Sequence, residues 1–201
     1  MKKQPVAGLL KGDVQVDETF VGGKPRKGSP DQRGKGITKK QPVIVAVETG
    51  GRAASHPIAN CHSPTLKPAM ESLIDKSAKI VTDQWNAYRV AAAGFVGGHT
   101  TVSHDQNQWV NDDGFTTNTA ESYFALLKRG HYGVYHQMSK KHLHRYCDEF
   151  SFRWNGRKLK DAQRRDAAIQ GADGKRLMLK PLLAKPSTDP MPGEQLPPFP
   201  L

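Results

Sequence analysis

The alternation of apolar and polar positions along the chain predicts a series of short β-strands. Residues 13–22 are predicted to form a strand that places Val14, Val16 and Phe20 on or near a core face. Residues 42–48 are apolar on both faces, which is typical of a central strand. Further short strands are predicted at 52–60, 78–83 and 100–104. Together these segments predict a sheet of about five strands.

Apolar residues at helical spacing separate and follow the later strands. Residues 64–76 carry such a stripe, and helices are also predicted at 84–93 and 119–129. The longest predicted helix covers residues 140–155, with apolar positions at a period of about 3.6 residues. Those positions are Leu143, Tyr146, Cys147, Phe150 and Trp154. Strands in a row, followed by helices and strands in turn, predict an α/β fold class in which helices flank a mixed sheet.

Composition divides the chain into a leader, one domain and a tail. We expect residues 1–12 to be an N-terminal leader and residues 13–182 to form a single domain. Within that domain, residues 24–40 form a loop rich in Lys, Arg, Gly and Pro. Residues 183–201 are rich in Pro and poor in apolar side chains, so this tail is predicted to be disordered.

The charge balance favours a nucleic-acid partner. The 201 residues include 30 Lys or Arg against 19 Asp or Glu, which gives a formal net charge of +11. Such a surface attracts phosphate through counterion release. We expect DNA contacts from the basic loop and from the C-terminal half, although a solvated basic surface without a role is the alternative. The candidate residues are Lys24, Arg26, Lys27, Arg33, Lys35, Lys39, Lys40, Arg129, Lys140, Lys141 and Arg145.

Composition also excludes several classes of protein. Cys61 and Cys147 are far apart and outside any Cys-x-x-Cys pair, so a zinc ribbon is not expected. No disulfide framework is indicated, and a reducing cytoplasm is the expected compartment. No apolar run approaches the ~20 residues of a membrane-spanning helix. The N-terminus also lacks the apolar stretch of a secretory signal.

Three acidic residues are placed where a divalent-metal site needs them. Asp17 and Asp83 each end a strand pattern, and Glu121 lies near the start of a predicted helix, so the three carboxylates can converge. Two Mg²⁺ or Mn²⁺ ions about 3.5–4 Å apart stabilise the attacking and leaving oxygens of a phosphodiester displacement. Mg²⁺ prefers carboxylate oxygens. We predict that Asp17 bridges the two ions and that Asp83 and Glu121 are the outer ligands.

Each of these carboxylates also has a simpler structural interpretation. Asp17 could be a turn residue at a strand end, and Asp83 could cap the helix that follows it. Asn118 and Glu121 fit a capping box, in which the N-cap and N3 side chains bond each other's backbone. Sequence spacing alone leaves these alternatives open.

The predicted helix after Glu121 favours the functional interpretation. Glu121, Ala125 and Lys128 share one helix face, and the residue between the two charges is small. Lys128 could therefore hold a phosphate close to the metal ions. An ordinary Glu–Lys pair on a helix surface is the alternative.

Several segments form a set of motifs in a fixed order: residues 14–23, 81–88, 117–130, 135–143 and 145–155. Together they resemble bacterial insertion-sequence transposases, over residues 10–182. These transposases carry an Asp-Asp-Glu triad on a ribonuclease H-like, integrase-like fold. The resemblance therefore implies a ribonuclease H-like sheet, DNA end cleavage with strand transfer, and two Mg²⁺ or Mn²⁺ ions.

The resemblance also assigns roles to individual residues. It makes Asp17, Asp83 and Glu121 the catalytic metal ligands, and it matches Lys128 to the basic residue that follows the Glu. Some members have Asn at the third position, so Asn118 is a second candidate near the site. His104, on the last predicted strand, is a further candidate near the substrate.

The same resemblance implies the partners and the location of the chain. Its substrates would be double-stranded DNA at the element ends and at the target, bound by a homodimer or a larger assembly. Its location would be the bacterial cytoplasm, at the nucleoid.

The chain departs from the family pattern at two points. Full-length relatives carry an N-terminal DNA-reading region, whereas here the first strand begins close to Met1, so we expect that region to be missing. Residue 116 is Thr where the pattern predicts His. Two other functions therefore stay open: a catalytically inactive or repurposed nucleic-acid-binding remnant, and a stand-alone nuclease of the same fold.

Overall fold

A computed structural model describes residues 8–22, 40–102, 110–111 and 114–174, which contain the predicted elements and one further helix. The strands are β1 (Asp13–Val21), β2 (Gln41–Glu48), β3 (Ala53–Pro57), β4 (Lys79–Asp83) and β5 (His99–Val102). The helices are α1 (Ser63–Leu73), α2 (Asn86–Ala91), α3 (Asn118–Gly130), α4 (Leu143–Asn155) and α5 (Asp161–Gln170).

The strands form one mixed five-stranded sheet in the order β3-β2-β1-β4-β5. The first three strands pair antiparallel along a meander, whereas β4 and β5 add in parallel on the other side of β1. β1 is therefore the central strand, and β2 lies inside the sheet with both of its faces buried. The α/β fold class is confirmed, and the arrangement is consistent with a ribonuclease H-like fold.

Each face of the sheet is covered by its own pair of helices. On one face, Val14, Val16 and Ile44 pack against α1 and α2. On the other face, Val43 and Val45 pack against α3 and α4. Burying each such side chain contributes roughly 1.5–3 kcal/mol, so both layers are needed to hold the sheet. Because side chains alternate along a strand, Gln15 and Asp17 of β1 point to the α3 side.

The second layer contains a polar connection as well as apolar contacts. The Tyr123 hydroxyl of α3 lies 2.7 Å from Ser55 Oγ of β3 and 3.1 Å from Ser151 Oγ of α4. Tyr123 is fully buried, and this burial raises the pKa of its hydroxyl. Because buried polar groups are costly unless they are paired, the three hydroxyls fix the position of α3 relative to β3 and α4.

Several local features differ from the sequence predictions. α1 ends at Leu73 rather than near residue 76, because Ile74 leaves the helix and bridges Leu10 beside the sheet. α5 was not predicted, since none of its residues is buried and it has no apolar stripe. Most of the basic loop, the region around His104 and the Pro-rich tail lie outside the described residues.

The junction between α3 and α4 depends on a glycine. Gly130 is buried at the end of α3, and a Cβ atom added there would lie 2.1 Å from Cζ of Phe150. Alanine at an ordinary helical position is more stable than glycine by about 0.5–1 kcal/mol. Here the contact with the ring reverses that preference.

Gly130→Ala is expected to lower the free energy of unfolding by about 1–3 kcal/mol through overpacking. Urea unfolding of the variant and of the original protein measures this difference. Gly133→Ala is the matched control, because a Cβ there meets nothing within 4 Å. Phe150→Leu in the Gly130→Ala background should recover part of the loss. Equal stability of Gly130→Ala and the original protein would contradict the packing described here.

None of the helices in the described part of the chain combines the length and the apolar character that crossing a membrane requires.

Candidate active site

Asp17 is the middle residue of the central strand β1, paired with Val45 of β2, on the face that α3 covers. The prediction that it ends a strand is therefore wrong, because β1 continues to Val21 along β2. The Asp17 side chain is half-buried, and its Oδ1 accepts a hydrogen bond from the backbone N–H of Glu18 at 2.7 Å. Burial, together with the negative charges of Glu18, Asp83 and Glu121, raises the pKa of the Asp17 carboxyl to about 7. The hydrogen bond from the Glu18 N–H opposes this shift.

Asp83 lies beside Asp17 because β1 and β4 are parallel neighbours. Their register pairs Gln15 with Val81, and each carboxylate follows its paired residue by two positions. Both therefore lie at the same level of two neighbouring strands and on the same face of the sheet. Asp83 Oδ1 also accepts a hydrogen bond from the backbone N–H of Trp85 at 3.1 Å. That bond holds the turn after β4, whereas α2 itself begins one residue later, at Asn86.

Glu121 is brought to the site by a contact that sequence reasoning missed. The Gln15 side chain is buried, and its Oε1 accepts hydrogen bonds from the backbone N–H groups of Thr119 at 3.0 Å and Ala120 at 3.1 Å. These groups belong to the first turn of α3, where helical N–H donors have no partner within the helix. Gln15 therefore joins the strand that carries Asp17 to the helix that carries Glu121.

The capping-box interpretation of Glu121 is wrong. Asn118 is already the first residue of α3, and the residue before it, Thr117, makes no side-chain cap bond. The Asn118 backbone N–H donates instead to Thr116 Oγ1 at 3.1 Å. The sequence did contain a signal for the actual cap, since an alternating strand places a polar residue at 15 on the same face as Asp17.

The chemistry of these side chains fits a hard divalent cation, because carboxylate oxygens are the ligands that Mg²⁺ prefers. Asp83 and Glu121 both act electrostatically on Asp17. Within residues 8–22, 40–102, 110–111 and 114–174, however, no three His, Cys, Asp or Glu side chains are gathered closely enough to hold a metal ion. Like charges repel, and the pKa of about 7 favours a proton on Asp17 when no cation compensates them.

Glu18 adds a fourth negative charge on the opposite face of β1. The buried Tyr88 hydroxyl of α2 donates a hydrogen bond to Glu18 Oε2. Burial raises the pKa of Glu18, and the charge of Asp83 raises it further. Acidic side chains therefore gather around the middle of β1 in an otherwise basic chain.

A second polar pair that the sequence did not reveal supports the end of β4. His99 of β5 has its Nε2 2.8 Å from the hydroxyl of Thr82, and that hydroxyl donates to the Asp83 carbonyl oxygen at 2.7 Å. Thr82 is fully buried. The pair holds the backbone of β4 where the Asp83 side chain leaves it.

The remaining predicted site residues are distributed around this centre. Glu121, Ala125 and Lys128 are all exposed, as expected for one helix face, and Lys128 Nζ lies 5.9 Å from the centroid of the Phe124 ring. Arg129, Lys140 and Lys141 are exposed, whereas Lys40 and Arg145 are half-buried. His104 and the other basic-loop candidates lie outside the described residues: Lys24, Arg26, Lys27, Arg33, Lys35 and Lys39.

Residues 9–155 match a family model described as an ISXO2-like transposase domain. The match begins just before β1 and ends at the last residue of α4, so it includes the three carboxylates and Gln15. No curated protein and no solved structure matches the chain.

Proposed function

The chain belongs to the ISXO2-like transposase domain family, and on that premise we propose that it cleaves DNA at element ends and joins the freed 3′ ends to target DNA. Membership confirms the resemblance to insertion-sequence transposases and makes the chain an enzyme that acts on DNA. The proposal adds the reaction steps, a dependence on Mg²⁺ or Mn²⁺, and the residues that carry the chemistry.

The observation that supports a metal site most strongly is the environment of Asp17. Its pKa of about 7 results from burial together with three neighbouring carboxylates, among them Asp83 and Glu121. A structural carboxylate is normally paired with a cation or with several hydrogen-bond donors. Negative charge accumulated in a partly buried position is instead typical of a site that binds a cation.

In the proposed reaction, Asp17, Asp83 and Glu121 would hold two divalent ions. When bound, such ions stabilise charge on the attacking and the leaving oxygen of the phosphodiester. Asp17 must lose its proton before it can ligate, so binding near neutral pH releases a proton. Lys128 shares the exposed face of α3 with Glu121 and would contact a phosphate of the bound strand. Asn118 lies one turn before Glu121 and is a further candidate for substrate contact.

The substrate would be held mainly through its phosphates. Arg129, Lys140 and Lys141 are exposed on the described surface, and with the basic loop they would grip double-stranded DNA without reading its bases. Joining two element ends to one target requires at least two active sites, so we propose a homodimer or larger assembly on DNA. Such an enzyme would work at the nucleoid in the bacterial cytoplasm.

Strand transfer by the purified chain tests the proposal. The substrate is a labelled, pre-cleaved duplex from the end of the encoding element, with a supercoiled plasmid as target. We expect joining in Mg²⁺ or Mn²⁺ and none in chelator. Asp83→Asn and Glu121→Gln should each lower joining by about a thousandfold, because metal ions contribute several kcal/mol to such transition states. Retained joining in both variants would refute the assignment of the ligands.

Two other outcomes identify the alternative functions. Nicking of plasmid without joining of the labelled end would indicate a stand-alone nuclease. Salt-sensitive DNA binding with no Mg²⁺ or Mn²⁺ binding in calorimetry would indicate a non-catalytic remnant.

A further inference from the structure

Between α3 and α4 the chain displays two apolar side chains to solvent. Residues His131–Tyr135 form a single π-helical turn, in which Tyr132 is 63% exposed and Val134 is 70% exposed. We propose that this turn, which we name the 131–135 turn, is a DNA contact in which Tyr132 and Val134 pack against the groove of a bound duplex. The proposal goes beyond the metal site and rests only on the family's action on DNA.

The 131–135 turn is held rigidly at both ends. His131 is buried, and its ring lies 4.7 Å from that of Tyr132. At the other end, the Tyr135 hydroxyl donates to Glu149 Oε2 at 2.7 Å, and its ring packs against Tyr146 at 4.8 Å. A side chain displayed by a rigid segment loses little conformational entropy on binding.

The turn ends in a conformation that non-glycine residues rarely adopt. His136, the residue after it, has φ of 56°. Single π-helical turns are rare in proteins, and many of those that occur lie at functional sites. Such backbone conformations persist where the surrounding contacts determine them, which the anchored ends of this turn provide.

The charge around the turn indicates which partner it fits. Residues 122–147 contain no Asp or Glu but five basic residues: Lys128, Arg129, Lys140, Lys141 and Arg145. Lys40, where the basic loop joins β2, also lies nearby, because its charge adds to burial in lowering the pKa of His131. Apolar side chains in a basic segment complement a duplex, because its phosphates attract the basic residues while thymine methyl groups and base faces offer apolar contact.

The same charge argues against a second copy of the chain as the partner. A symmetric contact through this turn would bring two positive surfaces together, and like charges across an interface are unfavourable. A DNA duplex can contact the exposed apolar side chains and the surrounding basic residues at the same time. The fit to a duplex is therefore better than the fit to another protomer.

The test is DNA binding by the full chain in chelator, so that failure of the metal site cannot affect the result. Affinity for a labelled duplex of arbitrary sequence is measured at several salt concentrations. Tyr132→Ala and Val134→Thr are each expected to weaken binding about three- to tenfold, as loss of one apolar contact does. The slope of log affinity against log salt should not change, because neither side chain is charged. Lys141→Ala should instead reduce that slope by about 0.9.

Two control variants distinguish the loss of a DNA contact from a loss of folding. Tyr132→Phe keeps the ring and should bind as the original protein does. Val96→Thr makes the same change as Val134→Thr at a valine that is 88% exposed outside the basic segment, and it should have no effect. Thermal unfolding confirms that each variant is folded.

Three outcomes would overturn the proposal. The first is unchanged affinity in both Tyr132→Ala and Val134→Thr. The second is a weaker affinity accompanied by a smaller salt slope, which would mean that the turn only supports nearby charges. The third is a changed oligomeric state in sedimentation with unchanged DNA affinity, which would assign the turn to contacts between copies.

Discussion

Asp17→Asn is expected to stabilise the metal-free protein by about 2–4 kcal/mol at pH 8 while abolishing strand transfer. The pKa of Asp17 is about 7 in the folded protein, whereas an aspartate without neighbours, as in the unfolded chain, has a pKa near 3.8. Each pKa unit corresponds to about 1.4 kcal/mol, and partial exposure to solvent reduces the full difference. Asparagine has the same shape, and its Oδ1 can still accept the bond from the Glu18 N–H.

The pH dependence follows from the sign of this shift. Below about pH 4, Asp17 carries a proton in both the folded and the unfolded chain, so it does not affect their balance. Between that pH and about 7, only the folded chain retains the proton, and stability falls as pH rises. Above about pH 7, Asp17 is ionised in the folded chain as well, so stability falls no further on its account. The advantage of Asp17→Asn should therefore be absent near pH 4 and greatest above pH 7.

Urea unfolding of both proteins at pH 5 and pH 8, in chelator, measures this effect. Asp13→Asn is the matched control, because it makes the same chemical change at an exposed position on the same strand. Added Mg²⁺ should raise the stability of the original protein and leave Asp17→Asn unchanged, since only the former provides the ligand. Equal stability of the two proteins at pH 8 would show that Asp17 is not under the electrostatic strain described here.

The strands and their faces could be predicted because apolar alternation is a local property of the sequence. Val14 and Val16 indicated one buried face of β1, and residues 42–48 indicated a strand inside the sheet. Phe20, predicted on or near the same core face, is exposed, and the other face is buried as well, through Gln15 and Thr19. The family match also follows from short motifs that are contiguous in sequence. These signals placed Asp83 at the end of β4 correctly but did not show that β1 continues beyond Asp17. The parallel pairing of β1 with β4 then brought the two residues together.

Other features depend on contacts between distant parts of the chain, which local patterns do not encode. Gln15 bonds Thr119 and Ala120 more than a hundred positions away. The local pattern at 118–121 suggested a capping box, but the buried glutamine supplied the acceptor instead. The π-helical turn was missed for a similar reason, since its Tyr135 end is fixed by side chains of α4.

Gln15→Leu is expected to lower the free energy of unfolding by about 2–4 kcal/mol, because two buried N–H donors lose their acceptor. Leucine fills a similar volume but cannot bond Thr119 or Ala120. The first turn of α3 should then open, and Glu121 lies in that turn. Since residues that orient metal ligands typically affect affinity 10–100-fold, we expect the Mg²⁺ concentration for half-maximal activity to rise by about that factor.

Amide hydrogen exchange separates this positioning role from general destabilisation. In Gln15→Leu the amides of Thr119 and Ala120 should lose protection first, while those of the central strands stay protected. Gln41→Leu is the matched control, because the Gln41 side chain also bonds the backbone, donating from Nε2 to the carbonyl oxygen of Ile58, but that partner is not in α3. It should lose stability without changing the Mg²⁺ requirement.

Gln15→Glu tests the same contact by keeping the acceptor and adding a negative charge. A carboxylate can still accept both N–H bonds, and a negative charge is favourable at a helix N-terminus. It also adds a like charge two residues from Asp17, so the metal-free protein should lose stability as pH rises, and bound Mg²⁺ should restore it. If instead Gln15→Leu retains both protected amides and the original Mg²⁺ requirement, then Gln15 does not position Glu121, and the carboxylates must be brought together by contacts elsewhere in the sheet.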